Sequence, residues 1–309
     1  MRLKVLSNYD RDMETNFGDC ILLHDNRNLV IYDCGHEKHA ETVSIFLKEN
    51  TSISNVSIVI SHGHEDHTKG INELFDYLIE AGFNATIYTP LYLKSARKVL
   101  DILDDARRTL PATKEKILKS FDGLADIITS ATEQGFSVED ALIGTTIFGT
   151  ACQIAGPTED EFAEVVAEAV RTDGDGNIDG ETVMNAASVQ LKCDMENGKR
   201  VLLCGDATPK YLHNLENYRI VQLPHHGKLE SAESVFENIA SSRMGEYTFV
   251  ISDNTGNSNA GSDKLMDSDS SSTVEIMNTK DGEVLNLGEI KIYASIRDAS
   301  ESHGLCGGL

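Results

Sequence analysis

The sequence predicts an α/β fold in which two β-sheets pack face to face and helices cover them from outside. Short apolar, β-branched runs alternate with stretches of helical periodicity along the whole chain. Turn residues between several of these runs mark hairpins. At 309 residues, 40% of them hydrophobic and 25% charged, the chain can bury a sizeable core. We read 1–309 as one domain with a helical insertion at approximately 94–140.

The elements follow in order. "CILLHDNRNLVIYDCG", Cys20 to Gly35, is two apolar runs joined by a turn, hence a hairpin. "NVSIVIS", Asn55 to Ser61, is a short buried strand, and "TKGINELFDYLIEAG" continues as a helix with Ile71, Leu74, Phe75, Leu78 and Ile79 on one face and Gly82 as its stop. "ATIYTPLYL" is the next strand, leading into a helical stretch from about Lys94 to Thr132, broken near Pro111. Strands resume in "TTIFGTACQIAGP", and an acidic helix begins near Thr158. The loop "RTDGDGNIDGE" precedes a hairpin turning at Glu196, Asn197 and Gly198. "YRIVQLPHHG", a helix from about Ser231, "EYTFVISD", a polar loop from Asn254 to Ser272 and a closing hairpin "EVLNLGEIKIYAS" complete the chain.

The chemistry concentrates in "IVISHGHEDHTKG", Ile58 to Gly70, on the loop between a strand's C-terminal end and a helix, where α/β proteins commonly place ligands. His62 and His64 are one residue apart, so on an extended loop both imidazoles converge on one cation. Asp66 and His67, neighbours at a helix start, can turn toward a second. Imidazoles and a carboxylate suit zinc, manganese or iron. A purely structural role would need hydrogen-bond partners for four clustered polar groups.

This His-x-His-x-Asp-His run resembles the signature of the metallo-β-lactamase superfamily, and the order of later elements agrees. Asp33-Cys34-Gly35 resembles the family's Asp-x-Gly element, Asp206 in "VLLCGDA" its metal-bridging carboxylate, and His225-His226 in "LPHHG" its late histidine element. The resemblance implies an αββα four-layer sandwich. Within the superfamily, "NFGDCILL" with "VIYDCG", "NAASVQL" and "LPHHGK" resemble the hydrolase domain of ComEC-type DNA-uptake proteins and their stand-alone relatives, which implies a phosphoesterase or phosphodiesterase.

The implied centre holds two divalent ions, expected to be zinc with manganese or iron as alternatives. His62 and His64 go to the first, Asp66, His67 and His226 to the second, and Asp206 bridges. His225 is then free to protonate the leaving oxygen, with His226 preferred over it as the ligand. The expected reaction is attack by a metal-held hydroxide on a phosphoester of a nucleotide or nucleic-acid end. Between His67 and His213 there is no histidine, so the family's middle ligand is missing, and Asn185, a water or a substrate oxygen would complete the first site. Asp19 and Asp33 are expected to steady ligands through hydrogen bonds, and Lys228 is a weaker candidate for substrate contact. Two alternatives stay open: hydrolysis of a lactone, thioester or amide at the same ions, and a binding or regulatory module with a structural metal.

A net charge of −23 disfavours long duplex DNA and leaves a small phosphoester or a short single strand as the expected substrate. There is no basic stripe and no run long enough to span a bilayer, so a cytoplasmic protein without a membrane partner is expected. Homo-oligomers or protein partners would use the insertion. Six cysteines without a Cys-x-x-Cys pair read as free thiols. "DGDGNIDGETVM", Asp173 to Met184, resembles a calcium loop but carries Ile178 and Met184 where glycine and glutamate belong, and reads as an acidic turn. His24, His36, His39 and His213 read as structural or surface residues, and the tail with His303 and Cys306 as a frayed end.

Overall fold

The computed structural model describes residues 1–8, 15–90, 96–103, 109–149, 151–255 and 261–289. Strands β1 (Arg2–Val5), β2 (Ile21–His24) and β3 (Asn28–Tyr32) form an antiparallel meander. Helix α1 (Glu37–Glu49) crosses to β4 (Asn55–Val59), and α2 (Glu65–Thr68) and α3 (Ile71–Glu80) to β5 (Ala85–Thr89), each strand parallel to the one before. Helices α4 (Ala96–Leu103), α5 (Leu110–Ser120) and α6 (Asp122–Glu133) precede the edge strand β6 (Ser137–Asp140).

The second sheet opens with β7 (Thr146–Ile147) and β8 (Cys152–Gly156), and α7 (Glu159–Thr172) packs outside the first sheet. A small hairpin of β9 (Asn177–Ile178) and β10 (Glu181–Thr182) runs into α8 (Val183–Ala186). Strands β11 (Gln190–Asp194), β12 (Arg200–Leu203) and β13 (Ile220–Gln222) lead to α9 (Leu229–Glu237), β14 (Thr248–Ile251), α10 (Asp263–Met266) and β15 (Glu275–Asn278). Finally β16 (Leu285–Leu287) returns to pair with β1. The sheet orders are β16-β1-β2-β3-β4-β5-β6 and β15-β14-β13-β12-β11-β8-β7.

Period-two alternation divides each strand between two cores. Leu22, Ile31 and Ile58 face α1, α3 and α7, whereas Leu23, Val30 and Val59 face the second sheet's Ile154, Leu191 and Val201. On the far side, Leu202, Val221 and Phe249 meet Ala232 and Val235 of α9. The result is the αββα layering of the metallo-β-lactamase sandwich.

Several local expectations change. The break expected near Pro111 is the start of a new helix: Pro111 lies in the first turn of α5, where its missing N–H is harmless, behind the Thr109 cap. The helical run ends at Glu133, and the last residues of the 94–140 segment belong to the first sheet as β6. The loop expected from Asn254 to Ser272 contains α10 and a short 3-10 turn at Asp269–Thr273. Polarity hid the apolar anchor Leu265, which is fully buried. The thiols are not all free: Cys152 and Cys193, directly opposed on β8 and β11, form a disulfide, while Cys20, Cys34 and Cys204 are free and buried. Of the closing hairpin only the first strand is described, and His303 and Cys306 lie outside the described residues.

Candidate metal centre

The residues singled out from the sequence gather at the C-terminal ends of parallel strands from both sheets. Asp33 follows β3, His62 to His67 follow β4, Asp206 follows β12, and His225 and His226 follow β13. Asp33, His225 and His226 all hold φ between 53° and 60°, a left-handed conformation unfavourable for residues with a Cβ. The turns after β3 and β13 thus accept strain to aim these side chains.

Three of the imidazoles are held from behind through Nδ1. In His62 that atom lies 3.0 Å from Ser61 Oγ and 3.2 Å from Ser188 Oγ. His67 Nδ1 lies 2.9 Å from Asp33 Oδ2, and His226 Nδ1 lies 3.1 Å from both Asp19 Oδ1 and the Ser252 carbonyl. The Nε2 atoms therefore face the cleft. Asp206 lies between them, with Oδ1 3.3 Å from His67 Nε2 and Oδ2 3.9 Å from both His62 Nε2 and His225 Nε2. Asp66 Oδ2 is 3.1 Å from His226 Nε2.

This arrangement fits divalent ions. His62 Nε2, His67 Nε2 and Asp206 Oδ1 are buried without a hydrogen-bond partner, a costly state that a cation relieves. Ligand atoms about 2.1 Å from one tetrahedral ion stand roughly 3.4 Å apart, close to the separations here. Two groups, His62–His64–Asp206 and Asp19–His67–His226, each offer ligand atoms within 4.8 Å of one another. Both oxygens of Asp19 are already engaged, one by His226 and the other by Gln222 Nε2 at 3.1 Å. Asp66, by contrast, reaches the Nε2 side of His226.

The electrostatics agree. Burial pushes the His62 and His64 imidazoles down and keeps them neutral, the form that binds a metal. Burial would also lower His67, but Asp206 and Asp33 outweigh it and hold the ring well above its ordinary value. Burial raises Asp66 and Asp206; the His226 bond to Asp66 and the charges of His67 and His226 overcome it and leave both well below the carboxylate range. Asp66 and Asp206, both ionised and close together, present a concentration of negative charge that calls for cations.

Sequence reasoning missed Glu181. Its buried carboxylate takes His225 Nδ1 at 2.8 Å, Lys228 Nζ at 2.9 Å and Ser231 Oγ at 3.0 Å. It stands in the acidic loop set aside as a turn, and its position in β10 delivers it to the centre. Ser188, the serine of the Asn-x-x-Ser element, holds His62 and also accepts from the Asp206 N–H at 3.3 Å. Gln222 ties the sheets together by donating to Asp19 and accepting from Cys204 N–H. His36 caps α1, His213 pairs with Glu161, and His24 and His39 are buried in the fold away from the centre.

An αββα sandwich with two histidine–carboxylate clusters at its strand ends is the framework of a metal-dependent hydrolase, and that class is what fold and site support. No protein-family model matches the sequence, and comparison with curated proteins finds no match. Solved structures similar in fold include the metallo-β-lactamase fold protein YhfI from Bacillus subtilis, at 11% identity over 93% of this chain and 99% of that one, TM-score 0.49. Human tRNase Z, short form, aligns at 12% identity over 94% of this chain and 100% of its own, TM-score 0.45. The DIM-1 metallo-β-lactamase aligns at 13% over 76% and 91%, TM-score 0.39.

Proposed function

We propose that the protein is a phosphodiesterase acting on a nucleotide or a short nucleic-acid end. One observation carries the reading: Asp206 turns one oxygen toward His67 and the other toward His62 and His225, so that this one carboxylate would be available to both clusters and to a proton donor. His62, His64 and Asp206 would hold the first ion, and Asp66, His67, His226 and Asp206 the second. Asn185 is the candidate for the missing middle ligand, because its Oδ1 is buried without a partner while its Nδ2 donates to Glu181 at 3.4 Å. The ions, zinc by preference, supply Lewis acidity and lower the pKa of a water ligand.

The protein's own part is orientation and proton transfer. Glu181 fixes His225 by its Nδ1 and leaves Nε2, on a side chain 31% exposed, free to donate to a leaving oxygen. Ser61, Ser188, Asp33 and Asp19 keep the His62, His67 and His226 rings from rotating. The ComEC-like Gly-Asp, Asn-x-x-Ser and His-His-Gly elements support a phosphoester over other substrates. No helix among the described residues is long and apolar enough to cross a membrane, and the cytoplasmic location belongs to the same proposal.

The test is hydrolysis of a chromogenic phosphodiester by protein reconstituted with zinc, manganese or iron, with Asp66→Ala in parallel. Activity in the wild type that falls by at least about a hundredfold in the variant supports the proposal. Silence with every ion, combined with turnover of a lactone or thioester, overturns it. If no ester is cleaved while a protein partner still binds the metal-stripped chain, the fold is a binding module.

A further inference from the structure

A cleft of about 420 Å³ opens beside the centre, and Asp66, His225, His226, Lys228, Glu230 and Lys264 are among the residues that line it. It is large enough for a sugar-phosphate-sized group. In a chain of net charge −23, two lysines from separate elements, Lys228 and Lys264, line this one cleft. Lys264, on α10, has no carboxylate partner among the described residues; Lys280 takes the neighbouring Asp263 at 2.8 Å. Lys228 bonds Glu181 Oε1, but an ammonium has three donors, so this bond leaves it capacity toward the cleft. The first turn of α9, nine residues long and without a side-chain cap, opens on the same space and adds positive potential. Glu230, exposed at the rim, and Asp66, on the side of the centre, are the opposing charges.

We propose that this cleft is an anion subsite for the leaving group, so that the favoured substrate carries a second negative charge next to the bond cleaved. The proposal rests on the phosphodiester reading: His225, the proton donor of that reading, lines the cleft, which puts the departing oxygen and what is attached to it there. A phosphorylated alcohol or a strand continuing beyond the scissile bond meets the requirement. An ester with a neutral leaving group does not.

The test compares thymidylyl-thymidine with the same dinucleotide phosphorylated at one or the other end, using the metal-loaded protein. One phosphorylated form is expected to show kcat/KM about tenfold above that of the unphosphorylated one, as a single charge-assisted contact provides. Lys264→Ala is expected to bring this ratio close to one, and Glu230→Gln to raise it. A ratio near one in the wild type, or one that Lys264→Ala leaves unchanged, overturns the subsite while the hydrolase reading stands. If no dinucleotide is cleaved, calorimetry with thymidine bisphosphate decides. About tenfold weaker binding in Lys264→Ala supports the subsite although the reaction is wrong, and equal binding removes it.

Discussion

Glu181 decides more at the residue scale than its place in an acidic turn suggests. Its side chain is 4% exposed, and burying a carboxylate is costly unless charged partners surround it. Burial pushes Glu181 up, but His225 and Lys228 outweigh it and hold the carboxyl below its usual range, so it stays ionised. Glu181→Gln keeps the shape and removes the charge. We expect kcat to fall by about 10- to 100-fold with the metal content unchanged, measured by steady-state kinetics beside elemental analysis. A rise in KM with kcat untouched would instead assign Glu181 to Lys228 rather than to His225. The candidate ligand run His62 to His67 was legible because its spacing is local. Glu181 was not, because only the hairpin of β9 and β10 brings it across more than 40 positions to His225.

The elements around Asp66 pack by backbone. Gly18 and Gly35, from the segments before β2 and after β3, lie so close to Asp66 that a Cβ on either would overlap its carbonyl oxygen. The Asp19 N–H donates to that oxygen at 2.8 Å. Gly35→Ala therefore has to displace the ligand loop. It is expected to cost about 1–3 kcal/mol, read from the denaturation midpoint, and to lower the metal bound per chain. Helix α1 carries another liability, His39, which is 0% exposed with neither ring nitrogen hydrogen-bonded. Burial pushes it down to about 3 from the ordinary 6.5. The unfolded chain thus binds a proton that the folded one refuses between those values, and stability, fully present above pH 6.5, falls with pH through that window. The slope is about 1.4 kcal/mol per pH unit. His39→Phe should lose about 2 kcal/mol less than the wild type between pH 7 and pH 5 in urea titrations, and an identical loss would show that another group carries the acid sensitivity.

At the scale of the whole molecule, the proposed centre is expected to serve cohesion as well as chemistry. Both sheets contribute candidate ligands, and buried nitrogens and oxygens there lack partners among the described residues. Ions that bind only the folded state add about 4 kcal/mol at a thousandfold excess over Kd. Thermal unfolding should therefore shift upward on loading and downward with a chelator, and Asp206→Asn should lose most of the shift. If the midpoint ignores metal in the wild type, the clusters are not ion sites. The Cys152–Cys193 disulfide lies at the other end of the second sheet's apolar interior from these ligands, and thiol spacing gave no sign of it because strand pairing alone brings the two together.

By itself the sequence determined the alternation of strands and helices, the sandwich class and six clustered side chains, since period, turn residues and motif spacing are local properties that survive without coordinates. Tertiary structure decided the rest. It turned Asp206 toward both clusters, placed Asp19 behind His226 rather than in front, recruited Glu181 to His225 and set Lys264 beside the cleft. These relations join residues far apart in the chain, and they exist only once two sheets have packed face to face and brought their strand ends to one edge.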